Sequence, residues 1–283
     1  MKKIKSFAKI NLFLKVTGKQ NKYHSLYSLV TQINLYDEVL VKENKDNKSR
    51  VFFSGPFKIY DKNNSIIRIL RLIKKKFPIL KNKNFNIYVK KNIPTGSGLG
   101  GASSNATSIF NYFKKKYKLV ISKNDSIRLL SQIGKDCPLF IDKKIKLIQS
   151  SGAKFKEFNF ATNFQLLLVY PKINLSTKKV FNNLKKISKI KIKKKLIFAD
   201  RKRLLETCAF YGNDLLLPAL KTNKKLIDTV KLLKKLNTNN FYSMTGSGSA
   251  FFLISYNKKF LSNVRKIIKK QRKSFWTSIV KTI

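Results

Sequence analysis

Ile93-Pro94-Thr95-Gly96-Ser97-Gly98-Leu99-Gly100-Gly101-Ala102-Ser103-Ser104-Asn105 places four of the chain's 11 glycines within six positions. Upstream, Phe85-Asn86-Ile87-Tyr88-Val89-Lys90 alternates apolar and polar residues, as a half-buried strand does. Downstream, Ala106, Ile109, Phe110 and Phe113 recur at helical spacing. The order strand, glycine loop, helix suits phosphate. Glycines let backbone N–H groups approach a ligand, and the orphan N–H groups of a helix's first turn add the positive end of its dipole. The two commonest loops of this kind do not fit. Gly96-Ser97-Gly98-Leu99-Gly100-Gly101 matches G-x-G-x-x-G, but the acid that pattern requires about 20 positions on falls at Asp125. That residue lies inside Ser122-Lys123-Asn124-Asp125-Ser126, which reads as a helix cap. A Walker A loop ends in Gly-Lys-Ser/Thr, and here the sequence reads Ala102-Ser103-Ser104. A glycine-rich turn without a ligand is the remaining alternative.

With 283 residues the chain makes one large or two modest domains, and a boundary is expected near residue 155. A hydrophobic share of 43% with 22 Phe and 11 Tyr indicates a globular protein. No apolar run approaches the roughly 18 residues of a membrane span. Lys9, Asn11 and Lys15 interrupt the apolar stretch that a signal peptide would need, so a cytoplasmic location is expected. Cys137 and Cys208 are too few for a disulfide framework or a zinc site and read as reduced thiols. The charge is extreme, with 62 Lys and Arg against 13 Asp and Glu. A polyanion partner is one reading. Codon drift is the other, because Lys, Asn, Ile and Phe are inflated together and the lysines are spread along the whole chain. The spread favours drift, so neither a specific nucleic acid nor a membrane is expected as partner.

Residues 4 to 16 read as a strand in which Lys9 and Asn11, on alternate positions, point the same way, either to solvent or inward as a polar pair. Segments 27–41 and 51–60 read as strands, with Asp37-Glu38 as a solvated turn. Ser65 to Phe77 is an amphipathic helix capped by Ser65. A short helix over 125–133 stops at Gly134, and Asp136 then sits in a glycine–proline turn before an apolar strand at Leu139-Phe140-Ile141. Such a setting can tune a carboxylate. Residues 143–164 show no strong period. Further on come a buried strand at 165–171, helices at 201–211, 213–221 and 223–236 with Asn213-Asp214 as a cap, and two strands joined by a second glycine turn, Thr245-Gly246-Ser247-Gly248. A helix over 257–271 and a strand over 274–282 follow. The basic tract 184–195 reads as a variable face.

Three of these blocks, the Lys9-Ile10-Asn11 strand, the loop from Pro94 through Gly98-Leu99-Gly100 to Ser103-Ser104, and Thr245-Gly246-Ser247-Gly248-Ser249-Ala250, resemble in order and spacing the three motifs of the GHMP kinases (galactokinase, homoserine, mevalonate and phosphomevalonate kinases). Ala8-Lys9-Ile10-Asn11-Leu12, Tyr23-His24, Gly134-x-Asp136-x-Pro138 and Asn213-Asp214 are most similar to the members that act on a cytidine diphosphate ester of methylerythritol. The resemblance implies an α+β, two-domain fold with mixed or antiparallel sheets, helices packed on them, and an active site in a cleft between 1–155 and 156–283. It implies ATP and Mg²⁺ as cofactors, a small-molecule substrate, and a monomer or homodimer. It casts Asp136 as catalytic base with Lys9 as partner. Pro94, Thr95, Gly96, Ser97, Gly98, Leu99, Gly100, Gly101, Ala102, Ser103 and Ser104 would wrap the ATP phosphates, with Ser103 or Ser104 near the metal. Gly246 and Gly248 would close beside them, while Asn11, Tyr23, His24, Thr177 and Phe181 would hold the substrate. Ser97 stands where the family commonly has glycine, Lys135 replaces a small residue, and Gly152 to Glu157 departs from a Gly-Val-Gly-Glu-like stretch. Homoserine or mevalonate kinase is the alternative within enzymes, and a basic nucleic-acid-binding protein the alternative outside them.

Overall fold

The computed structural model describes residues 3–20, 23–59, 64–150, 154–160, 162–185, 187, 200–236 and 240–283. In chain order the elements are β1 (Ile4–Gln20), β2 (Tyr23–Asn44), β3 (Arg50–Ser54), α1 (Ser65–Lys76), β4 (Asn84–Lys90), α2 (Gly101–Lys116), α3 (Lys123–Ser131), β5 (Ile145–Ile148) and β6 (Phe155–Phe158). They continue as β7 (Gln165–Tyr170), α4 (Thr177–Asn182), α5 (Arg201–Tyr211), α6 (Leu216–Thr222), α7 (Leu226–Leu236), β8 (Phe241–Met244), β9 (Phe251–Ile254), α8 (Lys258–Gln271) and β10 (Trp276–Lys281). Most of the basic tract 184–195, and Gly152, lie outside the described residues.

Two compact units emerge, and they interleave along the chain. One comprises Met1–Ala8, Leu35–Thr95 and Gly100–Lys143, the other Lys9–Asn34, Gly96–Leu99 and Lys144–Ile283. A single cut near residue 155 is a different partition. At 17 and 22 residues, β1 and β2 are each long enough to contribute to both units.

In the first unit β3 runs parallel to β4, and β4 runs antiparallel to the Glu38–Asn44 part of β2. Alternation along β4 buries Phe85, Ile87 and Val89. Val39 and Val41 of β2 join them in one core with Ile66, Ile69, Leu70 and Ile73 of α1 and Ile109, Phe110 and Phe113 of α2. Each such large apolar side chain contributes roughly 1.5–3 kcal/mol of transfer free energy. The cap of α1 is Asn64 and not Ser65: Asn64 Oδ1 accepts from the N–H groups of Ile66 (3.1 Å) and Ile67 (3.2 Å). Ser65 Oγ instead donates to the Ala102 carbonyl at 2.8 Å. Asp37 is not in a solvated turn. It lies within β2, is 0% exposed, and pairs with Lys91, itself 3% exposed. Its other oxygen accepts from Asn92 N–H (2.7 Å) and Ile93 N–H (2.8 Å), which fixes the chain where β4 leads into the glycine loop. A buried charge survives only when paired and hydrogen-bonded in this way. The expected strand after Asp136 is a 3₁₀ turn, Cys137–Phe140, because Pro138 near its start presets a helical φ and removes an N–H that a sheet ladder would need. The strand expected over 51–60 is only β3.

In the second unit β10, β7, β9 and β8 form an antiparallel sheet in that order. Leu166, Leu167, Leu168 and Val169 of β7 are fully buried, the apolar run of a strand covered on both faces. Leu261, Val264 and Ile268 of α8 and Leu232 and Leu233 of α7 share its core. The aperiodic stretch 143–164 folds as β5 and β6, with β5 pairing the Ser28–Val30 part of β2. Helix α6 begins at Leu216, later than expected, because Asp214 is drawn to β1: its carboxylate pairs with Lys15 and accepts Val16 N–H at 2.8 Å.

Candidate functional site

In the second unit the fold brings three sequence blocks together. The N–H of Lys9 donates to the Leu99 carbonyl (3.0 Å), and the N–H of Ala250 donates to the Ser97 carbonyl (3.0 Å). Asn11 N–H donates to Thr245 Oγ1 at 3.1 Å. These ties seat residues 96–99 directly on the second glycine turn. Gly98 has φ +81°, and a Cβ there would collide with the Thr245 carbonyl oxygen while standing 3.1 Å from that of Gly248. Only glycine fits that approach.

Lys9 and Asn11 face inward, 3% and 4% exposed. Lys9 Nζ donates to Asn11 Oδ1 at 2.7 Å, and Asn11 Nδ2 donates to Ser28 Oγ at 2.9 Å. The ammonium stands 3.4 Å from where a Cβ of Gly246 would be, so a fixed positive charge borders the turn. Asn213 holds that turn from behind, its Nδ2 donating to the carbonyls of Met244 (2.6 Å) and Gly246 (3.0 Å). Thr177 Oγ1 lies 3.0 Å from Ser247 Oγ, so its hydroxyl meets the same turn. Asn174, which no sequence motif marks, also reaches the loop: its Oδ1 lies 2.9 Å from the Cβ position of Gly96.

His24 and Phe181 are also brought together, with ring centroids 4.7 Å apart and planes at 25°. A third ring between them would need about 7 Å, two van der Waals layers, so a base can add to this pair only from outside it. The Tyr23 side chain lies outside the described residues. Burial, and then the charge of Lys19, lower the His24 pKa below its ordinary value.

In the first unit, Gly100 (φ +73°) leads into α2, and its carbonyl accepts Ser104 N–H at 2.9 Å. Pro94 and the side chains of Ser97, Leu99 and Ser104 are buried, whereas Thr95, Gly96, Gly98, Gly100, Gly101, Ala102 and Ser103 are at least partly accessible. All four glycines of the loop are thus among its accessible positions. Ser104 Oγ is committed to Ser6 Oγ at 2.7 Å. Ser103 faces the Asp136 turn, where it hydrogen-bonds the Cys137 thiol. Thr107 Oγ1 donates to the Cys137 carbonyl at 2.8 Å, which locks that turn onto α2. Burial, with a smaller contribution from Asp136, pushes the Cys137 thiol up to about 11, so it stays protonated and is no nucleophile. Asp136 itself is partly exposed at the head of the 3₁₀ turn, its carbonyl accepting Leu139 N–H at 3.1 Å. Among the described residues no three His, Cys, Asp or Glu cluster as a metal cage. Mg²⁺ does not need one, because it keeps waters and binds through substrate phosphates.

Residues 64–141 match the family model of the GHMP kinases N terminal domain. A 4-diphosphocytidyl-2-C-methyl-D-erythritol kinase from Pelagibacter ubique (strain HTCC1062) is 34% identical over 285 residues, 99% of each chain. One from Wigglesworthia glossinidia brevipalpis is 32% identical over 87% of this chain and 78% of its own. The fold resembles the crystal structure of a 4-(cytidine 5'-diphospho)-2C-methyl-D-erythritol kinase (TM-score 0.78, 22% identity, 99% of each chain). It also resembles that of a mevalonate kinase (TM-score 0.71, 16% identity, 100% of this chain and 99% of the other). On the near full-length match at 34% identity, this chain belongs to the GHMP kinases, in the family of the 4-diphosphocytidyl-2-C-methyl-D-erythritol kinases.

Proposed function

We propose that the chain transfers the γ-phosphoryl group of ATP to the 2-hydroxyl of 4-diphosphocytidyl-2-C-methyl-D-erythritol, a step in non-mevalonate isoprenoid precursor synthesis. The observation that carries this reading is the seating of residues 96–99 on the Thr245–Ala250 turn with the Lys9 ammonium at its border. Phosphoryl transfer is catalysed mainly by positioning and charge stabilisation, so a backbone cradle, a fixed cation and one proton acceptor are sufficient parts. The accessible positions Gly96, Gly98, Gly100, Gly101 and Ala102 suit a triphosphate, with the N-terminus of α2 adding its dipole. Magnesium, when bound with ATP, neutralises phosphate charge, and of the two serines at the start of α2 Ser103 is the partly accessible one, whereas Ser104 is buried against Ser6.

Asp136 acts in this proposal as the base that accepts the hydroxyl proton, and Lys9 as its cationic partner that orients the hydroxyl. Asn11 fixes the Lys9 ammonium and approaches the substrate. His24, Phe181 and Tyr23 hold the cytosine, with His24 neutral near pH 7 in keeping with its lowered pKa. Thr177 and Ser247 line the same turn. A cytoplasmic location, a monomer or homodimer, and a family-domain boundary near 155 belong to the same proposal.

Release of ADP from ATP and Mg²⁺ tests it, with the cytidine diphospho-methylerythritol, homoserine and mevalonate offered separately. Turnover is expected with the first alone. Turnover with homoserine or mevalonate, or with none of the three, overturns the assignment.

A further inference from the structure

We infer that the solvent-facing side of the sheet in the first unit binds single-stranded RNA, independently of the kinase site. The helices α1 and α2 cover one face of this sheet, through Val39, Val41, Phe85, Ile87 and Val89. Period-two alternation sends the intervening residues to the other face. In register across three strands these are Phe52 beside Tyr88 beside Leu40, and Arg50 beside Asn86 beside Lys42. On β1, Ser6 faces α2 through Ser104, so Lys5 and Phe7 share the outer face, where Phe7 meets Tyr36 of β2.

Two aromatic pairs result. Phe52 and Tyr88, 44% and 39% exposed, are stacked with centroids 5.1 Å apart and planes at 16°. Phe7 and Tyr36 meet edge to face at 5.6 Å. A cation sits over rings of both pairs: Lys42 over Tyr88 at 5.6 Å, Lys5 over Tyr36 and Lys143 over Phe7, both at 4.8 Å. Glu38 and Asp46, the acids at this face, are paired with Lys3 and Lys90 and with Arg50. Large aromatic rings left in water on a basic strand surface cost burial that folding would otherwise gain. Bases need such rings to stack on, and phosphates need the lysines between them. A flat sheet with aromatics on neighbouring strands is how single-stranded RNA is gripped by other folds, whereas a duplex keeps its bases stacked on one another and out of reach. The charge of +49 is spread over the whole chain and gives no address. The rings do.

The test is fluorescence anisotropy of the full chain with a labelled oligouridylate of about 15 nucleotides, the matching duplex, the matching DNA strand, and phosphatidylserine vesicles, at several salt concentrations. The double variant Phe52→Ala/Tyr88→Ala should weaken RNA binding about tenfold or more, the value of losing one or two stacked bases. Kinase turnover should stay unchanged, and thermal melting should fall by only a few degrees as the stacked cross-strand pair is lost. Lys42→Glu/Lys90→Glu should weaken it further, whereas Lys259→Glu/Lys266→Glu on exposed positions of α8, an equal charge change, should not. Equal losses from both charge variants with none from the aromatic variant would reduce the binding to bulk charge and overturn the inference. So would duplex held as tightly as single strand, tighter binding of the DNA strand, or vesicle binding that falls with the same variants.

Discussion

Asp37 and Asp136 sit in the same unit and are opposites. Asp37 is wholly buried, pairs with Lys91 and accepts two backbone N–H groups. Asp136 is partly exposed and is placed by the backbone of a 3₁₀ turn locked to α2 through Cys137 and Thr107. The first carboxylate is used up in holding the chain where β4 enters the glycine loop. The second is partly exposed, at the head of a turn whose backbone is tied to α2. A wholly buried carboxylate serves structure, and one partly exposed on a rigid turn can serve a substrate.

The sharpest way to break this contrast is Asp37→Ala. Removing one partner of a buried pair strands the other charge, so unfolding stability should fall by about 3–5 kcal/mol in denaturant titration. A loss below about 1 kcal/mol would erase the distinction, since exposed ion pairs give that much. Gly98→Ala comes next. A left-handed φ costs a non-glycine residue roughly 1–2 kcal/mol, and the new Cβ meets the Thr245 carbonyl. kcat/KM for ATP should drop at least about tenfold, and an unchanged value would mean the seating of the two turns is irrelevant to catalysis. Asn64→Ala repeats the test of a buried polar group on a weaker scale: the loss of two accepted N–H bonds at α1 should cost about 1 kcal/mol.

The smallest effect concerns the chain's single histidine, which gives one resolvable imidazole signal. Because the folded pKa of His24 is lowered from 6.5, the unfolded chain binds the extra proton first as pH falls. The contribution of His24 to stability is therefore complete above about 6.5 and is lost as pH drops below it. An NMR titration midpoint under 6.5, raised by Lys19→Met, is expected, and a midpoint at or above 6.5 would contradict the packing on Phe181.

Much of this was legible in one dimension. Helix α5 and strand β7 follow from local period and caps, and the glycine spacing located both turns. Lys9 and Asn11 were readable as same-facing, but whether that face was wet depended on Ser28 and Thr245, residues remote in the chain. Asp37 reads as solvated in the sequence because its partner Lys91 lies 54 positions away and one lysine among so many gives no signal. Asn174 carries no local signal at all. Asn213 did, as part of Asn213-Asp214, yet its hold on Gly246 exists only once the strands pair. The aromatic face is the same case: Phe7, Tyr36, Phe52 and Tyr88 are scattered in sequence and adjacent only through register.

Everything about the chemistry turns on Asp136 being the proton acceptor. The direct measurement is kcat of Asp136→Asn with saturating ATP, Mg²⁺ and the cytidine diphospho-methylerythritol, alongside its unfolding midpoint. A fall of about 10²–10⁴-fold is expected, the usual worth of a positioned base, with KM for ATP and stability nearly unaltered. A kcat equal to that of the parent chain, or a fall matched by lost stability, would contradict the account.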